Sequence, residues 1–556
     1  MRRTFSLFGV LSLVLPFQHR PAFTSSVECI AQTSSAQIKG HVGAPGSVCE
    51  WLGIPYASPP TGQRRFAPPA KSTLEGSVYA DHYGYDCPQT PSSAFAYPNA
   101  TAQYQRVYAA FVNQLGNVQS EDCLTLNIWS SSRTTTVHSS SSSSRPDSLG
   151  PKKPKPKPKP VIVWIHGGRF SAGSSHTPFY DGGNLASAQD VVVVTFNFRM
   201  NIFGFPGSPA TTTTTPHKNI GFLDQYLAVE WVHENIAAFG GDPERITIIG
   251  QSSGAVAVSN WAYAFKDRPI VAGTMSHSGN VFSFPFLDAD VAASNWNHVA
   301  SMLGCGGAGA SDSAVLSCMR SENISFQAIL NAVKTVPSVP GDSSARSVPP
   351  FQATVDNTTV FSIPEYLSRL KSRSFAHDIP HLQIHNDHES GFYRISALAQ
   401  GRSLPESQWQ DFELESFTCA AAAETYWRAR AGVATYRVRY LADWDNLRLY
   451  DPPSSGAYHG VEVNMVTGNS ESVSGIAPSS SEAELMGIMQ EAWAAFAADP
   501  VRGLRRLGWP NYQAGRESLI RLGVDTTPVV DVVSSTMYDG RCRALNLSFW
   551  DSSIPT

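Results

Sequence analysis

The sequence predicts an α/β chain in which a mostly parallel central sheet, flanked by helices, forms one large domain. Three observations carry this. Residues 161–165 (VIVWI) and 191–196 (VVVVTF) are short β-branched runs without polar alternation, the pattern of strands buried on both faces of a parallel sheet. Residues 221–239 read as a helix closed by Gly240-Gly241-Asp242-Pro243. A further strand at 245–249 (RITII) then runs directly into Gly250-Gln251-Ser252-Ser253-Gly254, and strands alternating with helices are the α/β signature.

The other segments follow in chain order. Arg2 and Arg3 precede a largely apolar stretch at residues 5–17, which reads as an export signal over residues 1–25. The stretch is too short to span a bilayer. Pro16 and His19-Arg20-Pro21 stop it from continuing as a buried helix, and cleavage is expected between Ala22 and Ser26. Residues 26–556 are then the folded domain. Within it, residues 130–160 are a Ser/Thr-rich and then Lys-Pro-rich insertion, expected to be an exposed loop because such a run cannot bury enough apolar area to order itself. A polybasic tether made by Lys152, Lys153, Lys155, Lys157 and Lys159 is the functional alternative. Near the C-terminus, Ser481 with Glu484 reads as a capping box for a helix whose buried face carries Leu485, Met489, Trp493 and Phe496.

Composition narrows the function. Of 556 residues, 42% are apolar, which supports a sizeable core and excludes a disordered chain. A near balance of 41 Lys+Arg against 45 Asp+Glu argues against nucleic acid as the main partner. No later apolar run reaches membrane-spanning length, so no integral membrane segment is expected once the signal is removed, and the protein is expected to be secreted and extracellular. Eight cysteines without CxxC metal spacing suit disulfides in an oxidising compartment, although eight allow 105 pairings. Sequons at Asn99, Asn323, Asn357 and Asn546 agree with export.

A lone GxSxG arises readily by chance, and a purely structural Ser-Gly turn is its plain alternative. Here it stands between a strand and an apolar helical stretch, where a tight turn aims a serine hydroxyl out of the sheet. A serine at its ordinary pKa is a weak nucleophile; it needs a base, an acid to orient the base, and donors for the developing oxyanion. His166-Gly167-Gly168-Arg169 follows the strand at 161–165 as an oxyanion loop would. Gly167, Gly168 and Arg169, with Ser253 after the nucleophile, are therefore the candidate oxyanion-hole residues.

With these segments in view, the chain resembles the type-B carboxylesterase/lipase family, the cholinesterase-related branch of the α/β-hydrolases, in a form similar to fungal secreted members. The resemblance is carried by Gly53-Ile54-Pro55-Tyr56-Ala57 with Arg65-Phe66, by Ser120-Glu121-Asp122-Cys123-Leu124-Thr125-Leu126-Asn127, and by residues 219–254. It runs from about residue 37 to the C-terminus, with the 130–160 segment as an insertion. It implies an α/β-hydrolase fold and a Ser-Glu-His triad. Glu389 in Asn386-Asp387-His388-Glu389-Ser390-Gly391 matches the family acid, with Asp387 and Asp451 as rivals, and His459 in Tyr458-His459-Gly460 matches the base. Glu462 is read as structural. The resemblance also implies disulfides Cys87–Cys123 and Cys305–Cys318, leaving Cys29 with Cys49 and Cys419 with Cys542 by proximity and elimination. Related lipases carry a lid in the Cys87–Cys123 loop, and a packed surface loop is the alternative. Gln251, Ser253, His385 and Arg169 depart from the residues commonest in the family, which bears on substrate fit.

The reading is a secreted carboxylic ester hydrolase that works through an acyl-enzyme on a small-molecule or lipid ester, with no cofactor and no metal. A catalytically silent binding or adhesion ectodomain is the rival class. Retention of Ser252, Glu389 and His459 speaks against it. A peptidase of the same superfamily is disfavoured by the long type-B match and by Glu as the acid. Lipase, sterol esterase, short-chain esterase and mycotoxin hydrolase stay open as specific activities.

Overall fold

A computed structural model describes residues 28–43, 48–90, 95–131, 157–209, 218–306, 309–337, 339–340 and 347–556. The export signal at 1–25 and the centre of the insertion at 130–160 lie outside the described residues. The core is an eleven-stranded sheet. In chain order its strands are β1 (His41–Val42), β2 (Val48–Pro55), β3 (Thr125–Ser131), β4 (Lys159–Ile165), β5 (Val192–Phe196), β6 (Gly241–Gln251), β7 (Gly273–His277), β8 (His381–Asn386), β9 (Thr435–Tyr440), β10 (Glu517–Leu522) and β11 (Val530–Ser534). Across the sheet they run β11-β10-β9-β8-β7-β6-β4-β5-β3-β2-β1. The stretch from β10 to β5 is parallel, and both margins are antiparallel.

The apolar runs behave as expected of strands covered on two faces. Ile162, Trp164, Val193 and Ile249 enter one core cluster, while Val161, Val163, Ile165, Val192, Val194 and Ile248 enter another. Successive side chains of a strand point to opposite faces, so each run feeds both layers. The helix foreseen at 221–239 spans Ile220–Asn235 and tightens into a 3-10 turn at Ile236–Phe239, with Gly240 left-handed at φ 85° behind it.

Strand order places the site. The chain leaves β4 for β5 on one side and returns to β6 on the other, so the loops after β4 and β6 diverge at their carboxyl ends. That divergence opens a crevice, the usual ligand position in an open α/β sheet.

Two expectations need correction. The capping box forms two residues earlier than Ser481 and Glu484: Ser479 accepts from the Glu482 N–H, and the Glu482 carboxylate reaches back to the Ser479 N–H. Both pairs satisfy the Ser-x-x-Glu spacing. The earlier one wins because Glu482 also accepts from Ser470 Oγ at 2.6 Å and Asn446 Nδ2 at 3.2 Å in the interior. Leu485, Met489, Trp493 and Phe496 are buried as foreseen. The second correction concerns the ends of the insertion. Ser130 and Ser131 close β3, and Lys159 opens β4 with its side chain buried. Its amine donates to Ser131 O at 2.7 Å and Ser131 Oγ at 2.8 Å, and pairs with Asp190 at 3.0 Å. Lys159 therefore belongs to the sheet, not to a solvated tether.

All eight cysteines pair as Cys29–Cys49, Cys87–Cys123, Cys305–Cys318 and Cys419–Cys542. The loop closed by Cys87–Cys123 carries helix α1 (Tyr104–Phe111), which buries Tyr104, Val107, Tyr108 and Ala110 against the body of the domain. Among the described residues, no helix is long and apolar enough to cross a membrane.

Replacing Lys159 with Met keeps the stem but removes the donor to the buried Ser131 carbonyl and the cation beside Asp190. Unfolding by urea should show a loss of about 1–3 kcal/mol, the usual consequence of removing one partner of a buried polar group. An unchanged midpoint would mean that the amine is not held at the end of the sheet.

Candidate active site

Ser252 sits between β6 and helix α2 (Ser253–Ala264), at φ 59° and ψ −123°. This backbone region costs a non-glycine residue about 1–3 kcal/mol and persists only where its surroundings enforce it. Here the enforcement is visible. The Ser252 N–H donates to His277 O at 2.8 Å, tying the turn to the end of β7. A Cβ on Gly250 would lie 2.3 Å from Gly254 O, and one on Gly254 would lie 2.1 Å from Ile165 O at the end of β4. Both glycines are required by close backbone approach.

The candidate acid and base, Glu389 and His459, come from loops after β8 and β9. His459 Nδ1 is 2.6 Å from Glu389 Oε2. Glu389 Oε1 accepts from Ser278 Oγ and from the Asn386 N–H, both at 2.7 Å. Three donors thus converge on one buried carboxyl group. Burial pushes the Glu389 pKa above the ordinary carboxyl value, and His459 opposes that shift most strongly. Because Glu389 accepts from Nδ1, the lone pair of His459 lies on Nε2, and Nε2 is 3.2 Å from the Tyr393 hydroxyl.

The rival acids are elsewhere. Asp387 is exposed enough to pair with Arg439 at 2.7 Å, and Asp451 pairs with Arg448 at 3.3 Å. Glu462 is buried behind the site, accepting from Asn386 Nδ2 at 2.6 Å and from His277 Nδ1 at 3.1 Å. His277 Nε2 in turn accepts from the Trp493 indole N–H at 2.9 Å. His277 therefore has its hydrogen on Nδ1, and the group braces the carbonyl that holds Ser252.

The loop after β4 turns sharply, with Gly168 at φ 112°, Arg169 at φ 59° and Phe170 at φ 56°. Two consecutive non-glycine residues in the left-handed region need a restraint. Ser253 supplies one, since its Oγ accepts from the Phe170 N–H at 3.2 Å. The hydroxyl that replaces the commoner alanine thus ties the loop to the helix behind the serine. Gly167 differs from its neighbours: its N–H points to the Tyr180 hydroxyl at 3.5 Å. His166 stacks on Phe198 and bonds to Gly167 O, and burial pushes its pKa down to about 4.

Ser252, His459, Gly167, Gly168 and Arg169 line one cavity of about 310 Å³. Aromatic side chains close it, including Tyr108 and Phe111 from α1 and Phe392 and Tyr393 from helix α3 (Ser390–Ala399). A narrow recess of about 20 Å³ adjoins Ser252 and Ser253 beside Phe284 and Phe286. Ser278 and Tyr393 were not foreseen from the sequence. Neither lies in a motif; each arrives by the adjacency of strands and loops.

A serine on a strained turn after a central parallel strand, facing a glycine-rich turn after the neighbouring strand, defines an α/β-hydrolase. The fold is shared with a solved thermophilic PNB esterase at a TM-score of 0.71 and 24% identity, over 93% of this chain and 99% of that one. The chain belongs to the carboxylesterase family, whose sequence model matches residues 28–446. It is accordingly a carboxylic ester hydrolase of the serine type. Ser252 and Glu389 fall within the matched span and His459 just beyond it. The chain is 31% identical over 540 residues to a chlorogenic acid esterase of Aspergillus niger, covering 93% of this chain and 95% of that protein. It is also 31% identical over 504 residues to secreted lipase 5 of Gibberella zeae, covering 86% and 87%.

Ser253→Ala leaves the buried Phe170 N–H without its acceptor. The loss should be about 1–3 kcal/mol of stability, with kcat on a small neutral ester reduced by less than about tenfold. Thermal unfolding and initial rates on one preparation check this, and a wild-type melting temperature would show that the loop is held without the hydroxyl.

Proposed function

We propose that Ser252, Glu389 and His459 form the catalytic triad of this esterase, and that the backbone N–H groups of Gly168, Arg169 and Ser253 hold the oxyanion. The observation that carries the reading is the Glu389–His459 contact of 2.6 Å on the wall of the cavity that also contains the strained Ser252. Glu389 fixes the tautomer of the imidazole, which leaves Nε2 to accept the serine proton. Ser252 Oγ attacks the ester carbonyl carbon as its proton passes to His459, and the negative charge gathers on the carbonyl oxygen beside the loop N–H groups. Collapse of this intermediate expels the alcohol, which takes the proton from His459, and leaves an acyl-serine. Water then gives a proton to His459 and attacks the acyl carbon; the acid departs as Ser252 recovers its proton. Gly167 is the weakest of the four oxyanion-hole candidates because its N–H faces Tyr180.

The small recess beside Phe284 and Phe286 favours a short acyl group, and the larger aromatic cavity favours a bulkier alcohol part. Secretion is part of the proposal. It is supported by the N-terminal signal pattern, by four disulfides, by the similarity to a protein called a secreted lipase, and by the exposure of all four sequon asparagines. The proposal also takes residues 26–556 as one domain, with residues 130–160 as an insertion between β3 and β4.

Ser252→Ala should lower kcat for a 4-nitrophenyl ester by several orders of magnitude while the melting temperature stays near wild type. Turnover above about a hundredth of wild type would place the nucleophile elsewhere. Tyr393→Phe tests the base. Its hydroxyl competes with Ser252 for the lone pair on Nε2, so removing a bond worth about 1 kcal/mol should raise kcat/KM by up to about fivefold. A fall beyond about tenfold would mean that the phenol orients the imidazole instead.

A further inference from the structure

The backbone of Ser252 hangs on one carbonyl, and that carbonyl belongs to a residue with a bonded ring. His277 ends β7 between β6 and β8, opposite Gln251 on one side and Ile384 on the other. Its carbonyl accepts the Ser252 N–H at 2.8 Å, and among the described residues this is the last backbone rung between β6 and β7. The next two residues are committed as well. Ser278, at φ 53°, donates its N–H to Ile384 O at 2.8 Å and its Oγ to Glu389 at 2.7 Å, and a Cβ on Gly279 would stand 2.5 Å from Ser252 O. Residues 277–279 therefore meet Ser252 at both its N–H and its carbonyl, and Glu389 at its carboxyl group.

The imidazole of His277 restrains this turn. Nε2 accepts from the Trp493 indole N–H at 2.9 Å and Nδ1 donates to Glu462 Oε1 at 3.1 Å, so both nitrogens are engaged and the tautomer is fixed. Trp164 and Trp493 flank the ring in T-shaped contacts, with centroids 5.7 and 5.4 Å away. His277, Glu462 and both tryptophans are buried. The two indoles differ in one respect: Trp493 donates to the imidazole, whereas the Trp164 N–H has no acceptor among the described residues. Trp493 comes from helix α4 (Ser480–Ala498), where its spacing marks it as core alone, and it is not among the residues that line the cavity.

We propose that Trp493 is a positioning residue of this esterase: its indole N–H fixes the His277 ring, and through the His277 carbonyl it sets the backbone of Ser252 and so the aim of the hydroxyl. The inference rests on Ser252 being the nucleophile and adds a residue that never meets the ester. Loss of the N–H leaves a buried ring nitrogen without its donor and frees the imidazole to turn against Glu462. Ser252 then holds its strained conformation less firmly, and attack slows while the walls that bind the ester stay in place.

Trp493→Phe and Trp164→Phe test it, because each trims a buried indole beside the same imidazole and only the first removes a hydrogen bond. Both should lower the melting temperature. Trp493→Phe alone should lower kcat for a 4-nitrophenyl ester by about five- to thirtyfold, with KM within about threefold of wild type, and should slow covalent labelling by a fluorophosphonate to a similar extent. In a His277→Leu background, adding Trp493→Phe should have no further effect on kcat, since the bond it removes is already gone. Equal losses of kcat in the two tryptophan variants would mean a general loosening of the core and overturn the proposal. So would an unchanged kcat in Trp493→Phe, a change confined to KM, or effects that add in the double variant. If Trp493→Phe does not fold, exchange of the Trp493 indole for benzothiophene, which keeps the bicyclic shape and lacks the N–H, decides in its place; the same fall in kcat is expected, and wild-type turnover would sink the idea. Fluorophosphonate labelling that persists in Ser252→Ala would refute the nucleophile itself, separately from the role of Trp493.

Discussion

Parallel strands β4 and β6 meet at their carboxyl ends with no room for a side chain between them. Ile165 pairs with Gly250, and the carbonyl of Ile165 stands where a Cβ of Gly254 would be. This contact sets the first turn of the helix behind Ser252 against the loop that begins at His166. It brings the Ser252 hydroxyl and the N–H groups of residues 168 and 169 to one wall of the cavity. The strained backbone of Ser252 is affordable because it hangs from strands whose side chains are buried on both faces. A looser junction would let the serine relax towards ordinary φ and turn its hydroxyl away from the crevice.

Behind this junction lies a polar layer in an otherwise apolar interior. Trp493, His277, Glu462 and Asn386 bond in that order, and Asn386 also donates its side-chain amide to Tyr458 O, next to His459. The layer thus links the carbonyl that restrains Ser252 to the turn that carries the base. A buried network of this kind is rigid when its members are satisfied and costly when one is lost. Glu462, although a carboxylate a few residues from His459, has its oxygens turned to Asn386 and His277 and not to the His459 ring.

The strands that hold the site were legible because their residues leave little choice. VIVWI has no polar face to present to water, RITII leads straight into a glycine-flanked turn, and both became central parallel strands. The GQSSG turn and the HGGR loop were legible for the same reason, since glycine clusters after buried strands mark close backbone approach. Glu389 and His459 were reached only through family resemblance; their spacing of 70 residues says nothing about a 2.6 Å contact. Ser278 and Tyr393 were not legible, because what selects them is which strand lies beside which. The capping box at Ser479 was misread by two residues where two identical spacings overlapped and only the interior partners of Glu482 chose between them. Lys159 was misread because the composition of its neighbours outweighed its own place at the start of β4.

The aromatic enclosure has a cost that the acid must meet. The rings of Tyr393, Phe417, Phe111 and Phe392 lie with centroids 5.0, 5.3, 6.4 and 6.4 Å from the imidazole of His459. Such rings exclude water, which protects the acyl-serine and strengthens each polar contact at the oxyanion. The same exclusion disfavours the imidazolium that the proposed mechanism forms each time Ser252 attacks, because it removes the solvent that would stabilise a cation. In the proposed mechanism an ionised Glu389 bonded to Nδ1 offsets this penalty, and the donors Ser278 and Asn386 add to His459 in favouring its charged form in a buried place.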